Sequence, residues 1–558
     1  MRKNKLILIL VFVCSLSVGC NMNEREDEKV DSQHEELSPV TFTYFNASRS
    51  GRSTHSNLTT IGKILEEQTG VNFKVDNLEG DIDTSIGVMI ASGQYPDVIS
   101  PDIAIDKLVK AEAFIPLNDL IDEHAPNLKK VYEPYIEQMT HEDGNIYYIP
   151  FGATHQGYVP SPDIDQGAFW IQRGVLREFG YPNINTLDQY FDLIEQYAMK
   201  FPEINGEDTI GFTALTYDWR FFAISNPPAH LAGYPNDGDV IVDMGTYRAE
   251  VYGNKDITKQ YLAKLNEVNS KGLFDQEAFV ATYDEYLAKI TSGRVLGFFD
   301  YRWQVGQAFN SLSAAADDDR QYMALPIVFD ETIKDQYLDP PSFIANRGIG
   351  ITTSAKDPVR IIKFFDNLMK EENQKLVTWG IEGETYKVND EGRYYRTKRQ
   401  IALTAQKQYR DRFGFSIFEW NWPRGNGKFS DGNAWEPRRQ PEVAMNSYSE
   451  KDKVLLDAYD LNVFADLFSK PEERPWFPAW SANIEQGSAA AIFQDHKQNL
   501  QRQWFPQMVL SEPDQFDSNW DAYVAEFNKL DYQSFEQLMN DFVQKRIEQS
   551  IFDQKDDR

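Results

Sequence analysis

Four short clusters in this 558-residue chain set tryptophan among polar or charged neighbours or beside another aromatic ring. They are Tyr217-Asp218-Trp219-Arg220, Asp300-Tyr301-Arg302-Trp303, Glu419-Trp420-Asn421-Trp422-Pro423-Arg424 and Phe169-Trp170. An indole offers a flat apolar face. A guanidinium or carboxylate beside it offers paired hydrogen bonds. That mixture suits a ring with CH-rich faces and a hydroxylated rim, which is the surface of a sugar. The candidate ligand-binding residues are therefore Trp170, Tyr217, Asp218, Trp219, Arg220, Asp300, Tyr301, Arg302, Trp303, Trp420, Trp422 and Arg424. Aromatic residues make up 13% of the chain, so core packing competes with this reading at every position. The three charged clusters compete better, because charged groups are seldom buried without partners. Arg220, Arg302 and Arg424 would suit uronate carboxylates, or they salt-bridge within the protein, so the ligand's charge stays open. Trp476 and Trp480, beside Pro475 and Pro478, read as structural residues of a loop, and Asp97 as a local hydrogen-bonder to backbone.

Signatures of catalysis and of resident metals are lacking. No G-x-S-x-G elbow is present. The seven histidines never fall at HExxH spacing. Gly425-Asn426-Gly427-Lys428 lacks the spacing of a phosphate loop, and Gly348-Ile349-Gly350 lacks the third glycine of a dinucleotide fingerprint. The acidic stretches 76–83 and 236–239 do not fit a calcium loop. No cofactor and no metal are expected. With 86 Asp and Glu some carboxylates must lie in pairs, so composition leaves a glycosidase-type dyad open. Against 56 Lys and Arg they set a formal charge of −30, which argues against nucleic acid as a partner.

These clusters need elements to hold them. Val295-Leu296-Gly297-Phe298-Phe299 reads as a buried strand, which puts Asp300 to Trp303 at its carboxyl end, where ligands of open α/β sheets bind. Val40 to Phe45 reads as a strand. A helix capped by Thr59 or Thr60 and closed by Gly70 follows, with Ile61, Ile64 and Leu65 on one face. Alternation at Val71, Phe73 and Val75 predicts a second strand, residues 86–91 a second helix, and Val98-Ile99 a third strand. That order predicts an α/β sheet with parallel strands. Thr186-Leu187-Asp188-Gln189 opens a helix with a capping box. Asp357-Pro358 opens another with proline at its first position. Residues 520–551 read as two amphipathic helices divided near Leu530-Asp531.

The chain begins with a secretory signal: Arg2, Lys3 and Lys5, an apolar run from Leu6 to Val18, then Gly19-Cys20. The run falls short of the roughly 20 residues that span a bilayer. Leu16-Ser17-Val18-Gly19-Cys20 resembles a lipobox, with Ser17 where leucine is usual. The resemblance implies cleavage before Cys20 and a diacylglyceryl thioether on its sulfur, hence a membrane anchor on the extracellular face. The only other cysteine, Cys14, would leave with the signal, so the mature chain has no internal disulfide. Residues 21–39 are acidic and read as a disordered tether.

Five further stretches resemble the extracellular solute-binding protein family 1, the binding lipoproteins of ABC sugar importers, and within it the long oligosaccharide-type members of Gram-positive bacteria. They are Ala91 to Ile99 (ASGQYPDVI), Pro116 to Ile121 (PLNDLI), Asp143 to Pro150 (DGNIYYIP), Ala355 to Thr378, and Gly380 to Tyr386 (GIEGETY). The resemblance implies an α/β, two-lobed, periplasmic-binding-protein-like fold of type II, with hinge strands between lobes and a ligand cleft at the lobe interface. It places lobe one at 40–152 plus 327–370, lobe two at 153–326 plus 371–515, and C-terminal helices at 516–558. Crossings fall near 151–158, 324–327 and 370–373. Some family members carry a calcium loop after the helix that here ends near Lys200, and only Glu203, Asn205, Glu207 and Asp208 stand there. The implied function is capture of an oligosaccharide for import, by a monomer that hands it to ABC permease membrane subunits without catalysis. The other readings are a surface-anchored glycoside hydrolase or polysaccharide lyase, and a polysaccharide adhesin.

Overall fold

The β-branched and aromatic run at Val40 forms the strand Val40–Ser50 in the computed structural model, which describes residues 38–50, 53–315, 317–339, 343–472, 474 and 478–556. The signal, Cys20, all but two residues of the acidic tether, and Trp476 lie outside the described residues. Val40–Ser50 pairs in parallel with Val71–Leu78 on one side and Val98–Ser100 on the other. The full order is Thr54–His55, Val71–Leu78, Val40–Ser50, Val98–Ser100, Ile344–Ile351 and Ile149–Phe151, the last two running antiparallel to their neighbours. The connecting helix Thr60–Thr69 starts where Thr59 Oγ1 accepts from Gly62 N–H and stops at Gly70, whose φ of 65° a side chain would resist. Asp97 does not bond locally. Its Oδ2 accepts from Thr43 N–H and Oγ1, both at 2.7 Å, and so ties the start of one strand to another.

A second sheet has the order Ile210–Thr213, Val295–Tyr301, Gly167–Gln172, Tyr322–Leu325. Only the first pair is parallel. The helix Leu187–Lys200 opens with the capping box Thr186–Gln189 and lays Tyr190, Phe191, Ile194 and Ala198 on this sheet's core. The C-terminal helices Phe516–Phe527 and Tyr532–Asp556 break between Leu530 and Asp531 and bury Trp520, Tyr523, Phe527 and Phe535 in the same core.

The chain leaves the first sheet after Phe151, enters the second at Gly167, and returns between Leu325 and Ile344. The third crossing is not at 370–373. Leu376, Trp379, Tyr394, Phe415, Trp422 and Trp435 pack with Phe42, Phe73 and Phe365 in the first core. Residues 371–435 therefore stand with the first sheet, not in the second lobe, because their large aromatics have partners only there. The chain rejoins the second core near Leu455.

Candidate ligand-binding cleft

The strand Val295–Tyr301 is buried along its whole length and ends in a turn that the Asp300 carboxylate clamps. Oδ1 accepts from Tyr301 N–H and Gln304 Nε2, each at 2.7 Å, and Oδ2 accepts from Tyr286 Oη at 2.8 Å. Burial pushes this carboxyl up to about 7, against the pull of those three donors. The clamp sets Tyr301 at the strand end and starts the helix Arg302–Ala314, whose second residue Trp303 stands just beyond it.

Trp219 comes to meet Trp303 from the 3-10 turn Asp218–Phe221, which opens at Asp218 with a φ of 45°. The Asp218 carboxylate accepts from Arg220 N–H and pairs with the Arg220 guanidinium, while Arg502 donates to the carbonyls of Thr216 and Asp218. The two indoles lie parallel, 6.0 Å apart at 8°. Phe222 supports both from the core side. Arg220 is sandwiched between Trp219 at 4.6 Å and Tyr283 at 4.2 Å, which fixes the outer face of the pair. The indoles remain 58% and 53% exposed, an unusual state for so large an apolar surface and one that leaves area to cover.

This pair forms one wall of a cleft of 720 Å³, within the range of about 300–1,000 Å³ usual for small-ligand sites. Ile344 and Arg347 of the first sheet, with Asn426, also line it. Asn236, Asp237, Asp339 and Trp480 add polar groups and a third indole. Trp480 is 39% exposed, and its place depends on Gly238: a Cβ there would lie 2.8 Å from the Trp480 Cβ, and φ is 76°. Its turn is fixed by Asp237, which accepts from Ala479 N–H at 2.8 Å and pairs with Arg474 at 2.7 Å. The sequence reading takes Trp480 as structural. Only the proline-rich setting without nearby apolar periodicity hints otherwise.

Several expected site residues are elsewhere. Trp170 is buried in the second core, edge-on to Phe309, with Nε1 donating to the Asp300 carbonyl at 2.9 Å. Trp422 is 1% exposed in the first core, against Tyr44, Phe73 and Phe418. Arg424 is buried in an ion pair with Glu436. Burial opposes ionisation of Glu436, but Arg424, Arg438 and Arg439 overcome it and hold the carboxyl far below its ordinary range. Arg302 lies on the Phe309 ring at 4.6 Å, away from the cleft. Asp300 acts from beneath Tyr301. Tyr217 and Trp420 are part-exposed but lie outside the lining, and Trp420 carries the guanidiniums of Arg424 and Arg438 at 4.3 and 5.5 Å. Of the expected residues, Trp219, Tyr301 and Trp303 line the cleft, and Asp218 and Arg220 hold them.

A family model described as bacterial extracellular solute-binding protein matches residues 60–381, more than half of the chain. The fructooligosaccharide ABC transporter substrate-binding protein FusA of Streptococcus pneumoniae serotype 4 is 30% identical over 241 residues, taking in 40% of this chain and 43% of that protein. The match thus spans less than half of that relative's length. Lipoprotein LipO of Bacillus subtilis is 21% identical over 382 residues, 64% of this chain and 69% of that protein. The solved structure of S. pneumoniae FusA in complex with kestose has a TM-score of 0.65 at 19% identity, covering 91% of this chain and 99% of that one. That likeness shows the fold, an α/β two-lobed architecture of the type II periplasmic-binding-protein kind. With the family model, it makes this chain a member of the bacterial extracellular solute-binding protein family.

Proposed function

We propose that this chain is the extracellular binding component of an ABC importer, held to the membrane by lipid on Cys20, that captures an oligosaccharide and passes it to permease subunits. The observation that carries the reading is the exposed, parallel Trp219–Trp303 pair in a cleft that residues of a different sheet also line. Stacking on indole supplies affinity for sugar faces, and the carboxyl and amide groups supply hydroxyl recognition. Closure of the two lobes needs contacts from both walls at once, so ligand selects the closed state. The relatives named above for fructooligosaccharide transport and as a lipoprotein support the same reading.

A thermal-shift screen against oligosaccharides tests it, since a ligand that binds only the folded state must raise the melting temperature. At least one oligosaccharide should do so and should compact the protein in solution scattering. Release of shorter products from the bound sugar would refute the transport reading in favour of a hydrolase or lyase.

A further inference from the structure

The charged groups of the cleft point to the class of sugar it takes, an inference that rests on the carbohydrate reading above. Three guanidiniums are among the described residues that line the cleft, and each already faces a carboxylate. Arg347 Nε pairs with Asp102 at 2.5 Å. Arg438 pairs with Glu436 at 2.6 Å and with Asp165 at 3.1 Å. Arg439 lies 3.8 Å from Glu436 and donates through Nη1 to the Val159 carbonyl at 2.9 Å, while its buried Nε has no hydrogen-bond partner. On the anionic side, Asp237 pairs with Arg474 and Asp239 with Lys497. Asp339 differs. It forms no ion pair, and its buried Oδ1 has no hydrogen-bond partner. Burial pushes the Asp339 carboxyl up to about 7, Asp237 and Asp165 add to the rise, and Arg474 and the Asn236 backbone N–H pull it down. Beside these stand Gln166, Asn236 and Asn426, amides that both donate and accept as sugar hydroxyls do.

We propose that the cleft selects uncharged oligosaccharides and rejects uronates, and that Asp339 is the specificity-determining group, accepting ligand hydroxyls in its ionised form. A ligand carboxylate would find Arg347 and Arg438 already ion-paired and would meet Asp339 as a like charge, an arrangement that suppresses wrong partners. A hydroxyl would instead give Asp339 Oδ1 the donor it lacks, as a charge-assisted bond. Arg220, Arg302 and Arg424, suited in sequence to uronates, are held by Asp218, Phe309 and Glu436.

The test is titration calorimetry of the wild type with neutral trisaccharides (kestose, maltotriose, xylotriose) and with trigalacturonate and trimannuronate, in one buffer at pH 7.5. The expected result is that the best neutral ligand binds at least tenfold tighter than either uronate. Asp339→Asn should then weaken the neutral ligand by roughly tenfold, the loss of one charge-assisted bond, and narrow the preference over uronate. A uronate bound within tenfold of the best neutral sugar in the wild type overturns this inference and leaves the carbohydrate reading standing. An Asp339→Asn protein that melts like the wild type and keeps the full preference overturns the role of Asp339. Binding of neither class overturns the carbohydrate reading and this inference with it. The wild-type comparison does not depend on the variant folding.

Discussion

Trp303→Ala separates a ligand platform from a packing residue. An indole carries about 150–250 Å² of surface. With Trp303 53% exposed, roughly 100 Å² is open to be covered by a ligand. At about 25 cal/mol per Å², covering it contributes about 2.5 kcal/mol, or roughly 60-fold in Kd at 1.4 kcal/mol per decade. Trp219 stays in place and still offers one face, so the dissociation constant should rise by roughly 30- to 60-fold rather than binding being abolished. Folding stability should change little. Among the described residues the ring neighbours of Trp303 are Trp219, Phe222 and Tyr301, at 6.0 to 6.2 Å, which with its exposure puts the loss near 1 kcal/mol. The matched control is Trp422→Ala, which empties a fully buried site and should cost about 3–5 kcal/mol. Titration calorimetry with the best sugar and urea unfolding of both apo variants give the two readouts. The reasoning is refuted if Trp303→Ala binds that sugar within threefold of the wild type, or if it destabilises the apo protein as much as Trp422→Ala does.

Three further outcomes concern buried charge. Arg424→Ala strands Glu436 among buried groups and should cost about 3 kcal/mol by urea unfolding, with Arg438 and Arg439 limiting the loss; an unchanged midpoint would mean the pair contributes nothing. His230 is fully buried on Tyr337, and burial lowers its pKa to about 4, whereas the unfolded imidazole binds a proton near 6.5. Its contribution is therefore intact above pH 6.5 and lost as pH falls towards 4, about 3 kcal/mol in all; His230→Phe should flatten the fall in urea midpoint between pH 7 and 4.5, and an equal fall in both proteins would contradict this. Asp300 has the opposite sign: its pKa rises from 3.8 to about 7, so its contribution is full below pH 3.8 and lost as pH rises through 7. Asp300→Asn keeps an oxygen for Tyr301 N–H and Gln304 and turns an N–H towards Tyr286 Oη, so it should exceed the wild type by up to about 4 kcal/mol at pH 8 and converge with it near pH 4; parallel stabilities from pH 5 to 8 would disprove the assignment.

The legible parts of the fold are those that local chemistry decides. Thr59 and Gly70, Thr186 with Gln189, and Asp357 before Pro358 each satisfy backbone groups within a few residues, and each marks a real helix end. The strands at 40, 71 and 98 are read from a β-branched and aromatic run, from alternation and from a short apolar run, and they pair in parallel as their helical connections require. The destination of residues 371–435 is decided by distant partners instead. Nothing near Trp379 or Trp435 in sequence reveals that Phe73 and Phe365, some 300 residues earlier in one case, share their core. Asp97 teaches the same lesson on a smaller scale, since its acceptor role is to Thr43, 54 residues away.

The site was half legible for a reason that lies in the charges themselves. Tryptophan among Asp and Arg is poor core material only if those charges face outward. Around Trp422 they do not, because Arg410 pairs with Glu419 and Arg424 with Glu436, and the satisfied carboxylates and guanidiniums let the indole sink into the first core. Trp170 lies in the middle of a strand paired on both edges, at Phe298 and Ala324, and no neighbouring charge can lift it out. Trp303 and Trp219 stand in the first turn of new helical segments, one just after a strand end and the other just after a left-handed residue, and both indoles stay more than half exposed. Trp480 obeys the same rule with no charge beside it, in a turn anchored by Asp237 from 242 residues away. What the three cleft indoles share is thus a backbone turn fixed by a carboxylate, Asp300 for Trp303, Asp218 for Trp219 and Asp237 for Trp480. By that logic Asp300 and Asp237 shape the binding surface from below it.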